Sequence, residues 1–310
     1  MLEVRRYQPS DANAWDAAVA RSRNGNFLHR RAYMDYHADR FTDCSLVVER
    51  GGEMVAVFPA NIREHVVTSH GGLTYAGLIA THELRAESTL AVFERMAGHY
   101  RQAGAQRLIY KPVPHVFHAY PSEEDLYALQ RMGARLKRRD ISSVALLRDG
   151  AGFSDTRRRA IRKAKSAGVQ IQRGDDLTAF HALLSEVLRG HGAAPTHSAA
   201  ELSLLQSRFP GQIVLHEARM DGALLAGVLV YDFGQTVHAQ YIAASAEGKR
   251  VDALSLLLGE LVDAVYADRT YFSFGISTEQ EGRVLNSGLV AQKESFGARG
   301  VVHDFYEWTL

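Results

Sequence analysis

The segment Leu254–Val265, LSLLLGELVDAV, carries the strongest structural signal in the chain. Its apolar residues recur at intervals of three and four, the spacing of one face of an α-helix. Upstream, the runs Ile213–Leu215 and Leu224–Tyr231 flank an Asp-Gly turn, a pattern typical of a β-hairpin. Two further runs, Gln235–Tyr241 and Tyr271–Phe274, predict strands on either side of the helix. This half of the chain therefore reads as hairpin, strand, helix, strand.

The first half repeats this order. Cys44–Val48 and Met54–Phe58 flank a Gly-Gly turn, and Arg107–Tyr110 predicts the later strand. The intervening helix has an apolar face of Leu90, Phe93, Ala97 and Tyr100. Two copies of one element order indicate an internal duplication.

The later parts of the two halves also correspond. Ser122–Asp125 and Ser277–Glu279 each predict the acidic start of a short helix, since carboxylates favour helix N-termini. These helices are expected to end at Gly133 and Gly288, and a final pair of strands is expected to close each half.

The duplication predicts an α/β (α+β) protein of two tandem domains, each a mixed, mostly antiparallel sheet flanked by helices. The predicted domains are 1–148 and 149–310, joined by the glycine-rich linker Asp149–Gly152. The second half opens with a basic helix, Thr156–Ala167, followed by a helix that carries Phe180 and Leu184 on its apolar face. The chemistry is expected at the cleft where the two halves meet.

Composition limits the class of protein. The chain has 310 residues, is 46% hydrophobic and 23% charged, and carries a formal net charge of +1. This near-neutral charge argues against a protein whose whole surface binds nucleic acid. The single cysteine, Cys44, cannot form an internal disulfide, and no apolar run is long enough to span a bilayer. We therefore expect a cytoplasmic protein with no membrane span.

Two stretches are candidates for phosphate binding. The basic run Arg157–Lys165 places cations on a helix, and guanidinium groups bind phosphate in a bidentate manner. Ala246–Arg250 precedes the strongly periodic helix, where a loop containing Gly248, Lys249 and Arg250 could present backbone N–H groups and cations to a pyrophosphate. The alternatives are a solvated helix face and an ordinary turn.

Three side chains are candidates for proton or charge handling. His238 could act as a general base, Tyr241 could protonate a leaving thiolate, and Lys293 could stabilise a developing negative charge. The alternatives are a core histidine, a core aromatic residue and a lysine at the end of a strand. The histidine pairs His115/His118 and His191/His197 have no convincing partner set, so no metal is predicted.

An aromatic stretch, Phe27–Phe41, contains Tyr33 and Tyr36 interleaved with cations. It could bind the acceptor substrate, or it could be a helix that packs its rings into the first core.

Two motifs resemble a known family. The chain is similar to the FemAB/FemX-like branch of the GNAT acyltransferase superfamily in its duplication and in two segments, Arg159–Val169 (RAIRKAKSAGV) and Lys293–Gly297 (KESFG). The resemblance implies a tandem pair of GNAT domains. It also implies that Lys293 lies near the acceptor phosphates and the reacting carbonyl, and that Arg159 and Arg162 bind the acceptor.

Classical members of that branch transfer an amino acid from aminoacyl-tRNA to a peptidoglycan precursor that carries a nucleotide pyrophosphate. This chain has Gln292 where the family motif has phenylalanine, and it has no helical-hairpin arm. Many relatives without the arm resemble acyl-CoA N-acyltransferases, whose donor loop would match Gly248–Arg250.

The predicted function is therefore N-acyl transfer from acetyl-CoA or another acyl-CoA to an amine of a small acceptor, such as an amino sugar or a cell-envelope precursor. Backbone N–H groups near Tyr241–Ala243 would polarise the thioester carbonyl, and His238 or Glu279 would accept the amine proton. The alternatives are an aminoacyl-tRNA-dependent enzyme, with tRNA as partner, and a non-catalytic RNA- or ligand-binding module. The acceptor, the acyl chain and the oligomeric state stay open.

Overall fold

A computed structural model describes residues 2–148, 150 and 152–310. It divides into two compact units. One runs as far as Asp140 and takes in Val302–Leu310, and the other is Ile141–Val301. The predicted linker residues Asp149 and Ala151 lie outside the described residues.

The first half of the chain contains nine strands and four α-helices among its described residues. The strands are β1 (Leu2–Arg6), β2 (Thr42–Asp43), β3 (Leu46–Arg50), β4 (Glu53–Phe58), β5 (Asn61–Arg63), β6 (Val66–Thr68), β7 (Ile79–Ala80), β8 (Arg107–Tyr110) and β9 (Arg135–Leu146). The helices are α1 (Ala12–Arg21), α2 (Arg31–Met34), α3 (Ala86–Gln102) and α4 (Glu124–Arg131).

The second half contains eight strands and six α-helices among its described residues. The strands are β10 (Gln170–Gly174), β11 (Ile213–Met220), β12 (Ala223–Asp232), β13 (Thr236–Ala244), β14 (Tyr271–Ile276), β15 (Thr278–Glu279), β16 (Val284–Leu285) and β17 (Arg299–Thr309). The helices are α5 (Asp155–Ser166), α6 (Leu177–Arg189), α7 (Ala199–Arg208), α8 (Ala246–Arg250), α9 (Ala253–Glu260) and α10 (Ser287–Glu294).

The first unit packs α3 against its strands. The predicted hairpin is β3 and β4, which pair antiparallel, and β6 runs parallel to β8. The predicted apolar face of α3 is buried, with Phe93 and Tyr100 in a core that also contains Phe58 and Tyr110. The hairpin, helix and strand predicted for this half are confirmed.

The second unit is a sheet in the order β10-β11-β12-β13-β14, with α9 against it. The pairs β10/β11, β11/β12 and β12/β13 are antiparallel, whereas β13 and β14 are parallel. The predicted helix is confirmed as α9, which continues as a π-helical turn over Leu261–Val265. Its side chains Leu257, Leu261 and Val262 are buried in the core.

The strands that close the two units differ from the expectation that each half closes itself. Residues 142–146 of β9 pair with β14 in the second unit, although β9 begins in the first. Tyr306–Thr309 of β17 pair with β8 in the first unit, and Trp308 is buried there. Each unit therefore takes its closing strand from a strand that begins in the other unit.

The helix start predicted at Ser277–Glu279 is wrong. Residues 278–285 form the small antiparallel hairpin β15/β16, because Gln280, Glu281 and Gly282 all adopt positive φ angles and reverse the chain. Helix α10 begins later, capped by the Asn286 side chain, so Gly288 lies in its first turn rather than at its end. In the first half the corresponding prediction is confirmed, since α4 is followed by Gly133 at φ 76°.

Within the described residues, none of the helices has the length and apolar content needed to cross a bilayer.

Helix α6 approaches the sheet closely at one glycine. A Cβ at Gly227 in β12 would lie 2.5 Å from the ring of Phe180, which is fully buried. We expect Gly227→Ala to lower the free energy of unfolding by about 1–3 kcal/mol, because the ring has no room to move. Gly98→Ala in α3 is the control. A Cβ there meets nothing within 4 Å, so the change should raise the free energy by about 0.4–1 kcal/mol. Urea titration checks both, and equal effects would contradict this account of the α6 packing.

Candidate functional site

In the second unit, strands β13 and β14 pair at one end and separate at the other. They pair at three positions only, Thr236–His238 with Tyr271–Ser273, although β13 continues to Ala244 and β14 to Ile276. A bulge in β13 skips Gln240, since Leu229 pairs with Tyr241 and Val230 with Ala239. In the described part of the chain, the edge of β13 beyond His238 is therefore not covered by β14.

A cavity of about 490 Å³ lies beside the separated strand ends, and every residue that lines it belongs to the second unit. Its walls include the end of β13, the chain from α8 to α9, and one side of α10. Most of the lining is apolar, and its larger apolar side chains include Ile242, Leu254, Leu258, Phe274 and Phe296. The ionisable side chains are Arg157, His191, Lys249, Asp252 and Lys293. The cavity thus combines an apolar interior with an excess of cations.

Arg157 on α5 is held in this wall by neutral partners. Its Nε and Nη2 donate to the Ser295 hydroxyl at 3.0 and 2.9 Å, and its Nη1 donates to the Ser255 hydroxyl. The guanidinium carbon lies 4.2 Å from the centroid of the Phe296 ring. Burial lowers the pKa of Arg157 from its ordinary value. Hydroxyls and a ring fix the geometry of this cation without neutralising its charge, so an anionic ligand can still bind it.

Arg157 is one of several cations in the run Arg157–Lys165, but its position on the helix distinguishes it from the others. Arg157 shares a helical face with Ile161 and Ala164, the apolar positions of α5. Ala164 is fully buried, so a cation on that face points inward. The neighbouring Arg159 and Arg162, which were the predicted acceptor-binding residues, are exposed and do not line the cavity.

Lys293 lines the cavity from helix α10 rather than from the end of a strand, and its role in charge stabilisation stays a prediction. Its Nζ donates to the carbonyl oxygens of Gly275 and Ile276 at 2.8 and 2.7 Å, and to the Ser277 hydroxyl at 2.8 Å. The side chain is buried, and burial lowers the pKa of Lys293 to about 8. This amine therefore ties α10 to the end of β14 and can exchange a proton near neutral pH.

His238 lies next to the same strand end. Its Nδ1 is 3.0 Å from the Ser273 hydroxyl, and a Cβ at Gly275 would lie 3.5 Å from its Cε1. Gly275 has φ +77° and its carbonyl binds Lys293, so His238 and Lys293 approach one short piece of backbone. The His238 side chain is half-buried, and its role as a base stays a prediction.

Tyr241 and Glu279 are tied to other partners. The Tyr241 hydroxyl lies 2.7 Å from Nδ1 of His197, and burial raises the pKa of Tyr241. Glu279 is exposed on β15 and accepts a hydrogen bond from the Asn286 side chain at 2.8 Å. Neither residue lines the cavity, and their catalytic roles stay predictions.

The expected loop Ala246–Arg250 is instead the short helix α8, capped by Ser245. The N–H of Gly248 donates to the Ser245 hydroxyl at 3.0 Å, so it is not free for a ligand. Gly248 is required for packing, because a Cβ there would lie 2.1 Å from the carbonyl oxygen of Leu225. Lys249 lines the cavity, whereas Arg250 pairs with Glu247.

Tyr33 and Tyr36 belong to the first unit. Their rings pack edge to face, with centroids 5.7 Å apart, and Tyr33 also packs against Phe27. Tyr33 is buried and Tyr36 half-buried, so their contribution to acceptor binding stays a prediction.

Comparison with known proteins agrees with this architecture. Residues 151–281 match the acetyltransferase (GNAT) domain. FemX has a similar structure, with a TM-score of 0.71 at 14% identity over 99% of this chain and 97% of FemX. L-PGS from Bacillus licheniformis gives a TM-score of 0.63 at 13% identity, over 98% of this chain and 92% of that one.

A tandem GNAT protein from the clavulanic acid biosynthesis pathway gives a TM-score of 0.55 at 13% identity, over 100% of this chain and 98% of that one. No curated protein matches the sequence significantly. These comparisons confirm the predicted tandem GNAT fold and the resemblance to the FemX-like branch.

The buried Lys293 should leave a signature in stability. Its pKa is about 8 in the folded protein against 10.5 as the ordinary value, so between these values the unfolded chain binds more protons. The contribution of Lys293 to stability must therefore rise with pH from about 8 to 10.5. We expect the free energy of unfolding of the wild type, relative to Lys293→Met, to be larger at about pH 10 than at about pH 7. Urea titrations at the two pH values measure this, and a pH-independent difference would show that the pKa is not lowered.

Proposed function

We propose that this protein, whose residues 151–281 match a GNAT acetyltransferase domain, transfers an acyl group from an acyl-CoA to an amine of a small acceptor. The cavity of the second unit is the donor site in this proposal. Acetyl-CoA is the first donor to test. An amino sugar or a cell-envelope precursor is the proposed class of acceptor, and the cytoplasm is its proposed location.

The separation of β13 from β14 is the observation that carries the proposal. A strand edge without a neighbouring strand offers backbone N–H and C=O groups to an extended ligand. The long arm of CoA contains two amides, so it can pair with the edge formed by Ile242–Ala244 and bring its thioester to the cavity. N–H groups of this edge are also suitably placed to polarise the thioester carbonyl.

The charges of the cavity suit the phosphate end of the same donor. Arg157 and Lys249 supply cations, and the single carboxylate in the described lining, Asp252, is paired with Lys163 at 2.7 Å. Phosphate groups can therefore bind Arg157 and Lys249 without facing an uncompensated negative charge.

In the reaction, the neutral acceptor amine attacks the thioester carbonyl and the CoA thiolate leaves. His238 is preferred of the two proposed bases, because it lies beside Gly275, whose carbonyl binds Lys293, whereas Glu279 is exposed on β15; neither side chain is part of the described lining of the cavity. The Lys293 ammonium provides positive charge near the oxygen on which negative charge develops. Tyr241 is the proposed donor of a proton to the thiolate.

A second candidate function is aminoacyl transfer from aminoacyl-tRNA, and the outer face of α5 favours it. Arg159, Arg162 and Lys165 are exposed there, and no ion pair is seen for them within the described residues. Uncompensated cations on one helix bind a phosphate backbone. The likeness to FemX is a further reason to test it.

Calorimetry with CoA tests the first function. We expect one CoA per chain, and we expect Arg157→Ala to weaken binding at least about tenfold, because it removes charge-assisted hydrogen bonds worth about 1.5–3 kcal/mol. Arg159→Ala, on the same helix but outside the cavity, is the matched control and should change the affinity less than about twofold.

The same two variants separate the candidates. If no heat is measured at millimolar CoA, while tRNA binds and Arg159→Ala lowers the slope of log K against log salt by about one, the donor is a nucleic acid. CoA binding that responds to Arg157→Ala, with no salt-dependent tRNA binding, supports the acyl-CoA enzyme and excludes the RNA-binding alternative.

A further inference from the structure

Lys293 and Lys249 are the lysines that line the cavity in the described residues. Lys249 is exposed on α8, whereas Lys293 is buried on α10. The proposed function places an acyl thioester in this cavity. In that proposal Lys293 lies beside the electrophilic carbonyl, whereas Lys249 binds the phosphate end of the donor.

The partners of Lys293 allow it to lose a proton. Two of its three acceptors, the carbonyl oxygens of Gly275 and Ile276, can only accept hydrogen bonds, but the Ser277 hydroxyl can also donate. A neutral Lys293 amine can therefore donate to both carbonyls and accept from Ser277, so no buried group loses its partner. Breaking the hydrogen bond from Ser277 frees the nitrogen lone pair for attack, and rotation about the Cε–Nζ bond can turn it toward the cavity.

The charges around Lys293 also favour the neutral amine. The ionisable groups that share its cavity are Arg157 on α5, His191 after α6, Lys249 on α8 and Asp252, which is paired with Lys163. No carboxylate partner is seen for Lys293 in the described structure. With a pKa of about 8, roughly a quarter of the molecules carry a neutral Lys293 at about pH 7.5, against about one in a thousand for an ordinary lysine.

We propose that Lys293 is a self-acylation site, which takes the acyl group from a thioester bound in the cavity when no acceptor amine is present. The neutral Nζ attacks the thioester carbonyl carbon, the N–C bond forms and the C–S bond breaks. The thiolate leaves with the electron pair and is protonated as the nitrogen gives up its proton. This inference rests on the proposed function for the presence of the thioester.

Acylation would switch the site off. The amide nitrogen carries one hydrogen and no charge, so it cannot maintain the three donations to Gly275, Ile276 and Ser277. The acyl group itself would occupy part of the cavity, and the positive charge near the reacting carbonyl would be lost. An acceptor amine competes for the same thioester, so a supply of acceptor keeps Lys293 free.

Peptide mass spectrometry tests the proposal. The full chain is incubated without acceptor, with acetyl-CoA and separately with the small thioester N,S-diacetylcysteamine, at about pH 7, 8 and 9. We expect Lys293 to be acetylated at least about tenfold faster than the exposed Lys165 on α5 near pH 7. The rate at Lys293 should rise with pH and level off above about pH 8, where its amine is mostly deprotonated.

The controls separate this inference from the proposed function. Lys293→Arg keeps the charge and should leave labelling at Lys165 unchanged, and excess CoA should protect Lys293 alone. If N,S-diacetylcysteamine labels Lys293 selectively but CoA does not bind, the inference stands and the acyl-CoA donor fails. If CoA binds and Lys293 reacts no faster than Lys165 with either reagent, self-acylation is overturned while the proposed function stands.

Discussion

The structure of the second unit depends on one constraint. Where the parallel strands β13 and β14 separate, the backbone groups that no longer pair between them need other hydrogen-bond partners. Beyond His238, β13 and β14 no longer pair, and the Lys293 amine holds the freed end of β14 by two carbonyls. Burying an amine costs free energy unless its donors are satisfied, and here all three are. The wall of the cavity therefore contains a buried amine whose hydrogen bonds are satisfied, and this amine is the one to which the self-acylation proposal applies.

The first unit resolves the equivalent separation differently. Past the parallel pair β6/β8, the N–H of Ser69 donates to the Ile109 carbonyl, and the N–H of Lys111 donates to the Ser69 hydroxyl. The buried amine of Lys111 then donates to the carbonyls of His70 and Leu73, and burial lowers its pKa to about 7. The segments that follow β6 and β8 are therefore hydrogen-bonded to each other, whereas the corresponding ends of β13 and β14 separate. Lys111, the residue after β8, holds the two segments together in the first unit, whereas Lys293 on α10 lies beside the opening in the second.

Local patterns predicted most of the elements, and the failures have physical causes. The periodic helix α9 and the hairpin β11/β12 follow from side-chain spacing, which is a local property. The predicted start of α10 is wrong because Gln280 and Glu281 adopt positive φ angles. These residue types rarely do so, and the sequence gives no sign of it. The segment before α9 is a helix capped by Ser245 rather than a ligand-binding loop, and its Gly248 is needed for close packing on β12. The KESFG motif singled out Lys293, which lines the cavity, although its role stays a prediction. To predict Arg157, its charge must be considered together with its place on the apolar face of α5. Its contacts are with Ser255, Ser295 and Phe296, which are all distant in sequence, so a local pattern does not indicate them.

The exchanged closing strands have a consequence for how the protein is made. Trp308 is part of the first core, and Tyr306–Thr309 supply the neighbour of β8, yet the ribosome makes them after every element of the second unit. During synthesis the first unit therefore has an uncovered sheet edge until these residues have been made. The first unit therefore cannot complete its fold before the second unit has been synthesised. A product that lacks Tyr306–Thr309 would leave the edge of β8 exposed, and an exposed strand edge promotes aggregation.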